Sequence, residues 1–182
     1  MEVKLKNVRL SFPNLWHAKE FKTGDGKPRF DASFLCEPGS ENDKAIRAAI
    51  AAEAKEAYGA KWESILRGMQ GNANRYAYQD GDTKPYAGYE GMWVLACHAK
   101  ARPLIIDRDK SPLSEEDGRP YAGCYVNAKV DIYAQKGENQ GIRASFSGIQ
   151  FVSEGEAFTG GKPASADDFD DLGEGSDVDD LT

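Results

Sequence analysis

Hydrophobic and polar residues alternate with a period of two in four separate stretches of the chain. This period is typical of a β-strand with one buried face. In the first stretch the buried face changes between Leu5 and Val8, which predicts a β-bulge, and a turn at residues 12–14 is predicted to end the strand. A second change of face, near Gly148, predicts a bend. The four predicted strands cover residues 2–12, 29–36, 121–133 and 142–152.

The stretch 121–133 keeps its alternation over six repeats, so its two faces are the clearest on the chain. The opposite face carries tyrosines around Asn127 and Lys129, an unusual mixture for a plain solvent surface. A second layer of the fold covering these tyrosines stays open as an alternative. The predicted core face consists of Ala122, Cys124, Val126, Ala128, Val130 and Ile132.

Two helices are predicted early in the chain, between strands. Ser40 is predicted to be the N-cap of the first helix, and Gly59 is predicted to end it. Between them, Ile46, Ile50, Ala54 and Ala57/Tyr58 form an apolar stripe at helical spacing. A short second helix runs from Trp62 to Gly68, and an apolar strand covers 92–100.

Five or six curled strands, with helices that do not alternate with them, exclude a doubly wound sheet. We predict a mainly β fold, an OB-type Greek-key barrel with one long and one short helix, over residues 1–153. Residues 154–182 are predicted to be a flexible linker and tail.

The net charge of −7 comes from the end of the chain. Eight of the 30 acidic residues lie after residue 163, with no Lys or Arg beside them, and this leaves 22 acidic and 23 basic residues in the body. A like-charged segment with little apolar content cannot form a core, so we predict a disordered interaction tail. Such a tail either imitates a nucleic-acid backbone or only keeps the protein soluble. Its acidic residues are Asp167, Asp168, Asp170, Asp171, Glu174, Asp177, Asp179 and Asp180.

Several other classes of protein are disfavoured by composition. No apolar run approaches the roughly 20 residues that span a bilayer, and the N-terminus lacks a signal-peptide core, so we expect a cytoplasmic protein without membrane contact. Three separated cysteines and two histidines predict neither disulfides nor a zinc site, and no cofactor is expected. Asp107 and Asp109 form a D-x-D pair that a metal-dependent nuclease could use, but such pairs are frequent in turns, and no enzymatic activity is predicted.

Aromatic and basic side chains are interleaved in several segments, notably 16–30 and 75–89, and the second segment is predicted to be a surface loop. Rings can stack on unpaired bases while cations hold phosphates, so this mixture predicts single-stranded nucleic-acid binding. The alternative is a hairpin whose rings pack in the core. The predicted stacking residues are Trp16, Phe21, Tyr76, Tyr78, Trp93 and Tyr125. The predicted phosphate contacts are Lys19, Lys22, Lys27, Arg29, Arg75, Lys84, Lys100, Arg102 and Lys129.

Three long segments of the chain are LSFPNLWHAKEF with GKPRFDASFL, GYEGMWVLACHAKARPLIIDRD, and YAGCYVNAKVDIYAQKGENQGIRASFSGIQFVSEGEAF. Together these segments resemble a family of bacteriophage single-stranded-DNA-binding proteins. The resemblance implies an OB fold, sequence-nonspecific binding of single-stranded DNA, and a role in phage DNA replication, recombination and repair within the cytoplasm of the infected bacterial host. A strand-annealing recombination protein, or an adaptor or structural phage protein that does not bind DNA, is the alternative.

The resemblance also implies an acidic tail, and it allows a homodimer. We predict that this tail competes for the DNA groove and recruits replication proteins such as a polymerase, helicase or primase. Related tails often end in an aromatic residue, whereas this chain ends in Asp180-Leu181-Thr182 and its nearest ring is Phe169. The tail residues expected to make these contacts are Asp167, Asp168, Phe169, Asp170, Asp171, Asp177, Asp179 and Asp180.

Overall fold

The computed structural model describes residues 1–20, 26–158, 166–173 and 175, and its main feature is a closed barrel of five strands. Neighbouring strands are antiparallel, except that the barrel closes through a parallel bridge between His98 and Ser145. The predicted OB-type barrel is confirmed. The strands are β1 (Glu2–Lys19), β2 (Arg29–Cys36), β3 (Tyr78–Asp80), β4 (Trp93–Ala99), β5 (Leu104–Ile106), β6 (Tyr125–Gln135) and β7 (Gly141–Ser153), and the barrel order is β1-β2-β4-β7-β6.

Bulges bend the long strands where the pattern changes face. The pairing of β1 with β6 shifts between Leu5 and Val8, and Asn7 has a φ of 53° there. The pairing of β6 with β7 shifts beside Gly148. Both predicted irregularities are confirmed, and each increases the local twist that closing a small barrel requires.

The predicted end of the first strand at residues 12–14 is wrong. Phe12 has a φ of 45°, and pairing with β2 resumes beyond it, at Asn14 opposite Asp31 and at Lys19 opposite Arg29. The turn-like sequence therefore forms a second bulge, and β1 continues to Lys19. As a result, the first part of β1 pairs with β6 and the second part pairs with β2.

Two helices, α1 (Glu41–Tyr58) and α2 (Trp62–Met69), follow β2 and are joined by a short 3₁₀ turn. The Ser40 hydroxyl accepts a hydrogen bond from the Asp43 amide, and Gly59 ends α1 with a φ of 65°. Ile46, Ile50 and other residues of the predicted stripe are buried, mostly against β1 and β6. None of the helices in the described part of the chain is long and apolar enough to span a membrane.

The core face predicted for residues 121–133 is confirmed from Cys124 to Ile132, where every second residue is buried. Ala122 is only half-buried, because β6 begins at Tyr125 rather than at residue 121. The predicted surface position of the tyrosines after residue 71 is wrong for three of them, because Tyr76, Tyr78 and Tyr89 are at most 5% exposed. Their apolar neighbours come from distant parts of the chain, and Tyr78 pairs with Leu95 of β4.

A buried carboxylate links β3 to α1. Asp43 accepts hydrogen bonds from the Tyr78 hydroxyl at 2.6 Å, the Arg47 Nε at 2.9 Å and the Gly39 amide at 2.9 Å. Burial alone would raise the pKa of Asp43, but these hydrogen bonds outweigh it, and the pKa is lowered. Burial and the same bond raise the pKa of Tyr78, so its hydroxyl stays a donor.

We expect Tyr78→Phe to lower the free energy of unfolding by about 1.5–3 kcal/mol at neutral pH, because a buried charge loses a hydrogen bond. The lowered pKa of Asp43 stabilises the fold above the ordinary Asp value of about 4, and this contribution disappears as the pH falls through the lowered value. The difference between the variant and the wild type should therefore narrow below about pH 4. Urea unfolding of both proteins at several pH values measures this difference in the free energy of unfolding. Tyr133→Phe, at a ring that is 41% exposed, should change stability by less than about 0.5 kcal/mol. A difference that does not depend on pH would mean that the Tyr78 hydroxyl contributes independently of the charge on Asp43.

Candidate nucleic-acid interface

The outer faces of β1, β2 and β4 form one continuous surface. Residues paired across neighbouring strands point to the same face. Ser11, Ser33 and Ala96 therefore form one row, and Asp31 and His98 lie in the next. Exposure varies along these rows: Ser11 is buried, Ser33, Ala96 and Asp31 are half-buried, and His98 is exposed. Neighbouring segments flank the rows on both sides.

These segments enclose a groove of about 240 Å³, which we call the first groove. One wall is the segment 84–94, and the other is the segment 73–79 that leads into β3. Gly81 lets the walls approach, because a Cβ there would lie 2.2 Å from the carbonyl oxygen of Tyr89. The lining residues are Phe12, Ser33, Ala73, Tyr76, Ala77, Gln79, Lys84, Tyr86, Tyr89, Val94 and Ala96.

Two exposed rings stand together at the mouth of the first groove. Phe12 is 47% exposed and Tyr86 is 46% exposed, and their ring centroids lie 4.8 Å apart in an edge-to-face arrangement. Tyr89 supports both from below: its ring lies 5.2 Å from that of Tyr86, and its hydroxyl is 2.7 Å from the Ser11 hydroxyl. The supporting ring fixes the exposed pair, and the half-exposed rings of Phe12 and Tyr86 leave aromatic surface open to a flat partner.

Sequence reasoning did not select Phe12 or Tyr86 as stacking residues. The sequence pattern places Phe12 at the end of a strand, but the bulge with its positive φ turns the ring outward. The available signal was Phe12 before Pro13 within a strand pattern that resumes afterwards. Tyr86 could not be separated from three nearby tyrosines that turn out to be buried.

Cationic side chains lie beside the groove and at the barrel end next to it. Lys84 lines the groove, and Lys19 and Arg29 face each other where β1 and β2 approach the 20–28 connection. Burial lowers the pKa of His98, Arg29 and Arg143 lower it further, and the attraction of Asp31 offsets only part of this. The row that holds His98 therefore carries the carboxylate of Asp31 and little positive charge of its own, and the positive charge lies at its ends.

The remaining predicted residues of this region differ in exposure. Trp16 is half-buried against the core, and its carbonyl oxygen accepts a hydrogen bond from Arg102 at 2.8 Å. Tyr76 lines the first groove although it is only 5% exposed. Lys27, Arg75 and Lys100 are exposed at the ends of neighbouring elements. Phe21 and Lys22 lie outside the described residues.

Two predicted stacking residues lie on the side of the barrel that α1 covers, so a single groove holding all of them is wrong. Tyr78 is fully buried with its hydroxyl on Asp43, so no base can reach its ring. The Arg47 guanidinium lies 4.5 Å from the centroid of Trp93, whose ring also contacts that of Tyr78 at 5.4 Å. Both residues contribute to the packing of α1 rather than to the first groove.

Two further predicted residues, Tyr125 and Lys129, lie on β6, which β1 separates from β2. Tyr125 is half-buried opposite Arg9. Lys129 borders a different cavity of about 440 Å³, which we call the second groove. The lining of the second groove is Lys4, Leu5, Lys6, Leu104, Ile106, Asn127, Ala128, Lys129, Ser147, Gly148, Ile149 and Gln150.

The D-x-D pair is engaged by its own loop. Asp107 forms an ion pair with Arg119 at 2.7 Å, and Asp109 accepts a hydrogen bond from the Ser111 amide at 2.9 Å. Hydrogen bonds from these partners lower the pKa of both carboxyl groups. Among the described residues, no three His, Cys, Asp or Glu side chains lie together as metal ligands would.

A family model covers the whole chain. The model described as "Enterobacter phage Enc34, ssDNA-binding protein" matches residues 1–182. The chain belongs to this family. A relative, "Putative protein p50" of Acyrthosiphon pisum secondary endosymbiont phage 1, is 45% identical over 179 residues and covers 94% of both chains. The resemblance to phage single-stranded-DNA-binding proteins is thereby confirmed.

Solved structures share the fold of this family member. The single-stranded DNA-binding protein of bacteriophage Enc34, in complex with ssDNA, matches with a TM-score of 0.68 and 23% identity, over 86% of this chain and 89% of that one. The single-stranded DNA-binding protein gp2.5 of bacteriophage T7 matches with a TM-score of 0.54 and 10% identity, over 87% and 95%. At these identities the likeness establishes the barrel architecture.

The start of the C-terminal region is held against the barrel. The Phe158 ring lies 4.0 Å from the Arg9 guanidinium and 6.5 Å from the Tyr89 ring, and a Cβ at Gly88 would collide with it. The predicted boundary at residues 153/154 stays a prediction, as does the disordered tail. Phe169, Asp170 and Asp171 are exposed, whereas Asp177, Asp179 and Asp180 lie outside the described residues.

Proposed function

We propose that this protein binds single-stranded DNA in the first groove without sequence preference. The observation that carries the proposal is the exposed pair Phe12 and Tyr86, fixed by Tyr89 beside Lys84. Membership of a family described as ssDNA-binding supports it, as does the shared fold with a protein solved in complex with ssDNA. Every base has a flat face, so ring stacking tolerates any sequence.

In this proposal, bases stack on Phe12 and Tyr86, while Lys84 contacts the backbone beside them. The strand then follows the row of Asp31 and His98 towards the positive charge at the end of β1 and β2. Phosphates there meet Lys19, Lys27, Arg29, Lys100 and Arg102, with Lys22 on the same connection and Arg75 beside the opposite wall.

The tail has a separate role in the proposal. Its acidic residues compete with DNA for the first groove, and DNA that enters the groove releases them to recruit a polymerase, helicase or primase. The anchoring of Phe158 next to Tyr89 supports the competition, because the tail starts beside the groove. We assign the protein a binding role in phage DNA replication, recombination and repair in the host cytoplasm, and a homodimer is compatible with this role.

Replacing the two exposed rings tests the proposal. Phe12→Ala and Tyr86→Ala should each weaken binding of a labelled oligo-dT by about 1–3 kcal/mol, or roughly 5- to 150-fold, measured by fluorescence anisotropy. The matched control is Tyr133→Ala, which removes an exposed ring that does not line the first groove. Unchanged affinity in both groove variants, with the variants folded, would refute this site.

The salt dependence tests the phosphate contacts. Affinity should fall as salt rises, and Lys84→Gln should reduce the slope of log affinity against log salt by about 1, because one counterion fewer is released. Lys61→Gln removes the same charge from the turn between the helices and should leave the slope unchanged. Equal slopes for both variants would place Lys84 outside the interface.

Deleting residues 164–182 should raise the affinity for oligo-dT, most strongly at low salt, because an acidic competitor is removed and exposed charges are screened as salt rises. A full-length variant with Asp167, Asp168, Asp170 and Asp171 changed to Asn loses tail charge but keeps the length of the tail. Its affinity for oligo-dT should rise by part of the amount that the deletion gives. If neither variant binds more tightly than the wild type at low salt, the tail does not compete.

A further inference from the structure

The second groove exposes apolar surface that the fold leaves uncovered. Leu104 of β5 is 62% exposed, and Ile106 and Ile149 continue the aliphatic floor. The described residues that line it include no aromatic ring, in contrast to the first groove. An aliphatic floor suits apolar side chains of a peptide better than nucleic-acid bases, which prefer rings to stack on.

The rim of the second groove is basic. Lys4, Lys6 and Lys129 surround the floor, and all three are exposed. Lys129 lies 3.2 Å from Glu2, but both side chains are about half exposed, so the pair competes weakly with another anion. Lys4 and Lys6 form no ion pair with a carboxylate of the described residues. The groove therefore has the chemistry that recognises an acidic peptide with apolar side chains.

The chain itself contains such a peptide. Phe169 is 71% exposed and Leu172 is 97% exposed, and aspartates flank both of them. We propose that residues 167–172 dock in the second groove of the same chain, with Phe169 and Leu172 on the floor and the aspartates beside the lysines. Docking removes three large exposed apolar side chains from water at once, those of Leu104, Phe169 and Leu172.

The tail is long enough to reach the second groove. The Phe158 ring contacts the guanidinium of Arg9. Arg9 lies three residues after Lys6 on β1, a distance of about 10 Å along a strand. Eight residues lie between Phe158 and Asp167. The nine Cα–Cα steps that join them can span up to about 30 Å. The anchor of the tail and the rim of the groove thus lie on the same strand, within reach of one another.

The tail then has two docking sites on the barrel, the proposed DNA groove and the second groove. DNA in the first groove displaces the tail and raises the occupancy of the second groove. The released apolar residues then lie against the barrel, so a partner protein must compete with Lys4, Lys6 and Lys129 for the tail.

Amide chemical shifts of the full-length, ¹⁵N-labelled protein test the inference without DNA. The wild type is compared with a Phe169→Ser/Leu172→Ser variant, which keeps the net charge. We expect shift differences at Lys4, Lys6, Leu104 and Lys129. These differences should disappear when the same comparison is made in a Leu104→Glu background, where a repelling charge replaces the exposed floor residue. A Tyr133→Glu background adds the same charge at an exposed ring outside the groove and should preserve them.

Four results would overturn the inference. Differences confined to the surroundings of Phe12 and Tyr86 would place the tail in the first groove alone, and no differences would mean that the tail does not dock. Differences that grow with protein concentration would indicate the tail of a second copy. Shifts at Lys4 and Lys129 caused by oligo-dT in the tail variant would assign the groove to DNA. A wild type that fails to bind oligo-dT refutes the proposed function but leaves this comparison intact.

Discussion

A sheet of five strands can close on itself only if its strands bend strongly, and the bends in this chain determine where its chemistry lies. Bulges at Asn7 and Phe12 and the irregularity beside Gly148 provide the curvature. The bulge at Phe12 also has a second effect, because it turns an aromatic ring out of the barrel and towards Tyr86. Barrel closure and the exposure of the candidate stacking pair thus depend on the same backbone distortion.

Buried polar groups complete the scaffold. The tyrosines after residue 71 bring hydroxyl groups into the interior, and the two that are most deeply placed find partners in Asp43 and Ser11. A buried hydroxyl without a partner would cost about 1–3 kcal/mol, so these contacts fix how β3 and the 84–92 segment sit on the barrel. The walls of the first groove are therefore held by hydrogen bonds to elements far away in the sequence.

Local pattern predicted the barrel better than it predicted the interface. The alternation of β6, the capped α1 and the face changes in β1 and β7 depend on near neighbours in sequence, and each was recovered. The exposure of a tyrosine depends on partners that only the fold brings together. Tyr78 and Tyr86 have similar polar surroundings in the sequence. In the structure Tyr78 is fully buried beneath α1, whereas Tyr86 is 46% exposed. The separation of Lys129 from Lys84 has the same origin, since strand order cannot be read from a single strand.

The contact of Phe158 with Arg9 and Tyr89 fixes the point from which the tail leaves the barrel. A segment tethered by a short linker experiences nearby surfaces at an effective concentration in the millimolar range. At that concentration, contacts too weak to be detected with a separate peptide become substantially populated. The strength of any barrel–tail interaction is then set by the length of chain after Phe158 as much as by the chemistry of its side chains.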